Sequence, residues 1–188
     1  MPRTFWAGLR AGWSGGGTEP LSVTTEILHT YRAPRVVMRR LLGSMAGDDR
    51  PEARALVYLL AGCFIIFVGQ LPGLLAVPLT AADAPPREAL VGITFFSWMF
   101  IWPLLFYLLA ALGHVMARLF RGKGSFATAR MALFWTVLAV SPLMLFRGMV
   151  ETMIGPGPQL MVADTLVGVA FCALWAISLL EAERPQPG

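Results

Sequence analysis

The sequence predicts an all-α membrane protein: a four-helix transmembrane bundle preceded by an amphipathic interfacial helix. Three observations carry that prediction. The chain is 56% hydrophobic and only 14% charged, where soluble domains carry roughly 25% charged residues. Four of its apolar stretches reach the length needed to cross a hydrocarbon core, about 20 residues as a helix. Its basic residues are sorted between alternate connections, with thirteen of the fifteen lysines and arginines falling on one side of the four crossings.

Residues 1–20 hold Phe5, Trp6, Leu9 and Trp13 scattered among glycines. They build no continuous apolar core, so a flexible, retained segment is expected rather than a cleavable signal. Residues 21–50 read as a cytoplasmic amphipathic region. Within it Val37, Met38, Leu41, Leu42 and Met45 recur at helical spacing, while Arg35, Arg39 and Arg40 fall toward the opposite side, the pattern of a helix lying in the membrane interface. Pro34 suits its first turn. A shorter helix over Leu21–Tyr31, with Ser22 as its cap, precedes it.

The transmembrane domain covers residues 51–181, with spans at about 55–77, 90–116, 127–146 and 159–180. Pro78, Pro85 and Pro86 separate the first two spans, and Gly155-Pro156-Gly157-Pro158 makes a tight turn between the last two. Residues 182–188 form a flexible tail. Under the positive-inside rule the thirteen basic residues on one side place both ends, and the loop from Arg118 to Arg130, in the cytoplasm. Only Arg87 and Arg147 lie on the other side. A bacterial inner membrane is the expected location.

The pI of about 9.7 does not mark a nucleic-acid binder, because the basic residues flank apolar runs instead of interleaving with exposed aromatics. Cys63 and Cys172 sit far apart inside apolar stretches and read as small buried hydrophobes. With two histidines, no ligand cluster and no nucleophile with plausible partners, neither a metal, a cofactor nor a catalytic site is expected. His114 reads as a lone interfacial hydrogen-bonder.

Charged groups at membrane depth are costly and single out a few residues. Arg147 and Glu151, four apart on one helix face, pair near the outer end of the third span, and Asp164 in the fourth span joins them across the short turn. Their functional reading is a polar site and their structural one is helix pinning. Gln70, Pro72 and Gly73 mark a kink or a close helix approach, with Gly69 and Gly73 in Gly-x-x-x-Gly spacing. Trp98 and Trp102, beside Pro103, share a face too deep for an interfacial belt and pack between helices or on a lipid tail. Pro142, after Ser141, kinks the third span. Arg35, Arg39, Arg40, Arg121 and Lys123 are candidate contacts for anionic headgroups on the cytoplasmic side. The run Arg121-Gly122-Lys123-Gly124-Ser125 lacks the spacing of a nucleotide-binding loop.

Several ordered motifs resemble the Yip domain family of Ypt/Rab-interacting proteins, in particular its small bacterial members, over residues 21 to 181. They are Pro34-Arg35 with Arg39-Arg40-Leu41-Leu42, then Gln70-Leu71-Pro72-Gly73, Arg121-Gly122-Lys123-Gly124-Ser125-Phe126 and Ala132-Leu133-Phe134-Trp135. The resemblance implies a multi-span helical protein without enzymatic activity, linked in eukaryotes to small GTPases and membrane shape. The Asp-Leu-Tyr-Gly-Pro motif of eukaryotic members is missing, and four spans stand where five are usual.

The function expected is therefore the organisation of membrane lipid, of partner membrane proteins or of further copies of the chain. A small transporter or channel, and an accessory subunit of a larger membrane complex, are the alternatives.

Overall fold

The computed structural model describes residues 23–45, 49–76, 86–120 and 122–184. The expected flexible segment 1–20, Ser22, Pro78, Pro85, Arg121 and residues 185–188 lie outside them. Every regular element among the described residues is helical. Two short helices, α1 (Val23–Arg32) and α2 (Pro34–Met45), precede four long ones: α3 (Pro51–Ala76), α4 (Arg87–Leu119), α5 (Phe126–Ile154) and α6 (Pro158–Ala182). All four long helices have the length and apolarity to cross a membrane, so the chain is an integral membrane protein of the multi-pass class. The spans overrun the limits expected from hydropathy, most of all α5, which continues to Ile154 where 146 was expected. Its added turns carry Arg147 and Glu151 at the polar boundary, where charge no longer ends a helix.

α5 is the central helix. From Met131 to Ser141 every residue is buried, because α3, α4 and α6 pack around it and α1 and α2 cover what remains. Its closest neighbour is α3. There Gly62 lies against Val137 and the backbone of Leu138, Gly69 against Met144 and Leu145, and Gly148 against the Gly69 carbonyl oxygen. Between lipid-solvated helices such glycine contacts let dispersion and backbone dipoles act at short range. The expected Gly-x-x-x-Gly pair is only half used, since Gly73 faces the Glu151 carboxylate instead of a helix backbone. Pro72 does not end its helix, which continues to Ala76.

The other prolines are accommodated by local devices. In α4 the residues Ser97–Ile101 form a π-helical turn, in which the Trp102 N–H reaches back to the Ser97 carbonyl. The widened turn relieves the clash that the Pro103 ring makes with the preceding turn. In α5, Pro142 withholds the N–H that would bond the Leu138 carbonyl, and the Ser141 hydroxyl donates to that oxygen at 2.8 Å. One residue on, the Ala139 carbonyl accepts the Tyr31 hydroxyl.

The amphipathic region folds as the pair α1 and α2, broken at Ala33. Arg35, Arg39 and Arg40 are exposed, while Val37, Met38, Leu41 and Leu42 are buried in the same core as α5. Protein covers much of the apolar face that the sequence offers to the interface. Thr30 accepts the Trp135 indole N–H at 3.0 Å, and Tyr31 reaches the middle of α5 at Ala139. Burial raises the Tyr31 hydroxyl above the ordinary tyrosine value. Cys63 is buried as expected, but Cys172 is exposed on the outer surface of α6. An apolar thiol facing lipid carries no cost there, so hydropathy alone does not separate the two positions.

Candidate functional site

Polar groups collect at the two ends of the bundle. At the end where α5 turns into α6, Arg147 Nε donates to Asp164 Oδ1 at 2.6 Å, and its Nη1 donates to Glu151. The turn at Gly155, with φ of 85°, and the extended Gly157 fold α6 back against α5 and so bring Asp164 to the pair. One guanidinium between two carboxylates leaves the cluster one negative charge in excess. Among the described residues two of the guanidinium nitrogens are used in these bonds, which leaves the N–H donors of Nη2 for a further acceptor.

A cavity opens beside this cluster in two lobes that share Ile66, Trp98, Met144 and Arg147. The smaller lobe, about 260 Å³, adds Gln70 and the close-packed glycines Gly69 and Gly148. The larger, about 300 Å³, runs between α4, α5 and α6 and is almost wholly apolar, with Trp102, Phe106, Val140 and Phe171 on its walls. All four spans contribute to these walls. Trp98 and Trp102 stack with ring centroids 4.9 Å apart and planes at 15°. Trp98 lies within the π-helical turn and Trp102 directly follows it. Pro103, just beyond, is buried. Cavities of this size serve as small-molecule sites, and a mouth with both signs of charge over an apolar body suits an amphiphile.

At the opposite end, the structure corrects the reading of His114 as a residue without a partner. His114 Nδ1 donates to Glu183 Oε1 at 2.6 Å, with both side chains buried. The other carboxylate oxygen accepts the Gly124 N–H at 2.9 Å, and the Glu183 carbonyl accepts the Lys123 N–H at 2.9 Å. The Phe126 ring packs against the imidazole with centroids 4.2 Å apart and planes tilted by 52°. The glycine-rich connection is thus a cradle for an anion that the chain itself supplies. A Cβ at Gly122 would come within 2.5 Å of Glu183 Oε2, and one at Gly124 within 2.5 Å of the Ala182 carbonyl. Ala182 and Glu183, assigned by sequence to the loose tail, are buried parts of this latch. Ser125 caps α5 in a reciprocal box with Thr128. Two glutamates closing an apolar helix among arginines were the available signal for these partners. The distance from His114 to Glu183 along the chain hid it.

Among the candidate headgroup contacts, Arg39 bonds Glu181 at 2.9 Å and Arg40 bonds Glu26 at 2.9 Å. Much of their charge is therefore met within the protein. Arg35 and Lys123 are exposed. On the same end, a groove of about 660 Å³ lies between α4 and α6, floored by Gly113 and Trp175 and closed by Glu183. Among the described residues there is no group of histidines, cysteines and carboxylates that could hold a metal ion.

Comparison with protein-family models, with curated proteins and with solved structures finds no match to this chain.

Proposed function

We propose that this multi-pass protein is non-enzymatic and organises membrane lipid by seating one lipid chain in the cavity between its spans. The observation that carries the reading is the cavity itself: an apolar lobe walled by Trp102, Phe106, Val140 and Phe171 that ends at the Arg147 and Asp164 side chains. A hydrocarbon chain fills the lobe, and its headgroup meets the charged mouth at the level where α5 and α6 leave the apolar layer. The location proposed is a bacterial inner membrane with both termini cytoplasmic, supported by the arginine distribution. A Yip-like type is supported by the ordered motifs of the sequence. Anionic headgroups on the cytoplasmic side meet the exposed Arg35 and Lys123.

Purification in a gentle detergent followed by native mass spectrometry tests this. The expected result is a retained phospholipid, lost in Gly168→Phe. Gly168 lines the apolar lobe, and a side chain there enters open space. A protein that emerges free of lipid under conditions that preserve its fold overturns the reading. A small transporter is the second reading, favoured by Gln70 and Arg147 together lining the smaller lobe. Solute flux in proteoliposomes that Asp164→Ala abolishes would establish it, whereas the lipid reading expects no such flux.

A further inference from the structure

The charged mouth of the cavity specifies a headgroup, and here the inference rests on the lipid reading above. Arg147 holds Asp164 through Nε and Glu151 through Nη1, so the three side chains sum to one negative charge. A lipid whose headgroup is purely anionic would bring a second negative charge toward that excess, and like charges repel. A headgroup carrying only a positive charge would leave the Nη2 donors of Arg147 without an acceptor. The complementary ligand has both: a phosphate to accept from Nη2, in the planar geometry guanidinium favours, and an ammonium to meet the two carboxylates.

The side chains have the freedom this needs. Asp164 and Glu151 are 49% and 39% exposed, and Arg147 is 26% exposed. Each carboxylate engages Arg147 through one oxygen in these bonds and keeps its other oxygen for a ligand. Gln70 adds a neutral donor and acceptor at the edge of the smaller lobe. The larger lobe, at about 300 Å³, lies at the lower end of the range of ligand pockets, which suits part of one acyl chain and is too little for two. The second chain must lie outside, in the bilayer.

We infer that the cavity selects a zwitterionic phospholipid with a primary ammonium headgroup, its phosphate on Arg147 and its ammonium between Asp164 and Glu151. A primary ammonium donates three hydrogen bonds, and a quaternary one donates none. The site therefore separates an ethanolamine-type headgroup from a choline-type one as well as from a glycerol-type anionic one.

The test uses the full-length wild-type protein, delipidated in detergent and titrated with three synthetic lipids of identical acyl chains bearing ethanolamine, choline or glycerol phosphodiester headgroups. Bound lipid is counted by native mass spectrometry. The ethanolamine lipid is expected to bind about tenfold more tightly than either of the others, the ratio that one charge-assisted hydrogen bond of roughly 1.5 kcal/mol gives. Asp164→Asn, checked for an unchanged thermal melt, should bring the ratio of ethanolamine to glycerol lipid close to one. Equal binding of all three lipids by the wild type, or a preference for the anionic lipid, overturns the headgroup assignment while leaving the cavity as a lipid site. Failure to bind any of them removes the lipid reading itself. Because the wild-type ranking needs no variant, a folding defect in Asp164→Asn leaves the proposal testable.

Discussion

Replacing Gly148 with alanine probes the tightest contact of the bundle. A Cβ at this position falls well inside van der Waals contact of the Gly69 carbonyl oxygen, which is backbone and cannot rotate away. At Gly62 the nearest atom would be 3.0 Å away, at Gly69 3.3 Å, and at Gly73 3.8 Å. Restoring ordinary contact of about 3.5 Å at Gly148 requires α3 and α5 to part by about 1.4 Å, and a gap of about 1 Å already forfeits up to half of each dispersion contact along the interface. Overpacking within a core costs about 1–3 kcal/mol when side chains can adjust, so a backbone clash belongs at the top of that range. About 3 kcal/mol corresponds to two orders of magnitude in the folded-to-unfolded ratio. Reversible unfolding in mixed micelles, or thermal melting in detergent, should rank the alanine variants Gly148, Gly62, Gly69 and Gly73 from most to least destabilised, with Gly73→Ala within about 0.5 kcal/mol of the wild type. If Gly148→Ala proves as stable as Gly73→Ala, the α3 and α5 backbones do not approach as described, and the smaller lobe lined by Gly69, Arg147 and Gly148 falls with them.

Three further outcomes are expected. Glu183→Ala leaves the buried His114 ring and the Gly124 N–H without their acceptor, which should cost about 1–3 kcal/mol for each unsatisfied group and expose the connection after α4 to proteolysis. Glu183→Gln, which keeps an acceptor oxygen, should cost clearly less in the same melt. Ser141→Ala should destabilise by about 1–3 kcal/mol through the orphaned Leu138 carbonyl; in a Pro142→Ala background, where a backbone N–H can satisfy that oxygen, the same change should be near neutral, and additive effects in the double-mutant cycle would refute the pairing. Tyr31 titrates above its ordinary value because its neutral form is buried, so its contribution is complete below about pH 10 and lost as pH rises toward the folded-state value. The loss of stability on raising pH through that range should be smaller in Tyr31→Phe, as alkaline melts would show.

The membrane-spanning architecture was legible because it is one-dimensional. A bilayer offers no water to an exposed backbone, so length and apolarity suffice to mark a crossing, and four runs gave four helices. The pairing of Arg147 with Glu151 was legible for the same kind of reason, since four residues on a helix is a fixed geometry. Asp164 followed from the shortness of the Gly155–Pro158 turn. Periodicity also found the two faces of α2, but it could not name what would cover Val37 and Met38, because protein and lipid are equally apolar partners.

What the chain order alone determined, then, is which segments enter the membrane, which ends of them are basic and which charged neighbours share a turn. Only the tertiary structure decided that α5 lies at the centre, that Gly69 and not Gly73 meets the facing helix backbone, at Gly148, and that Trp98, Trp102 and Phe171 wall one cavity. It alone joined His114 to Glu183, converting a glycine-rich basic loop into the holder of an internal carboxylate. The physical reason is range: hydropathy, helical spacing and turn chemistry act between residues a few positions apart, whereas packing between apolar helices in an apolar solvent is chosen by shape and by the pairing of a few buried polar atoms far apart in sequence.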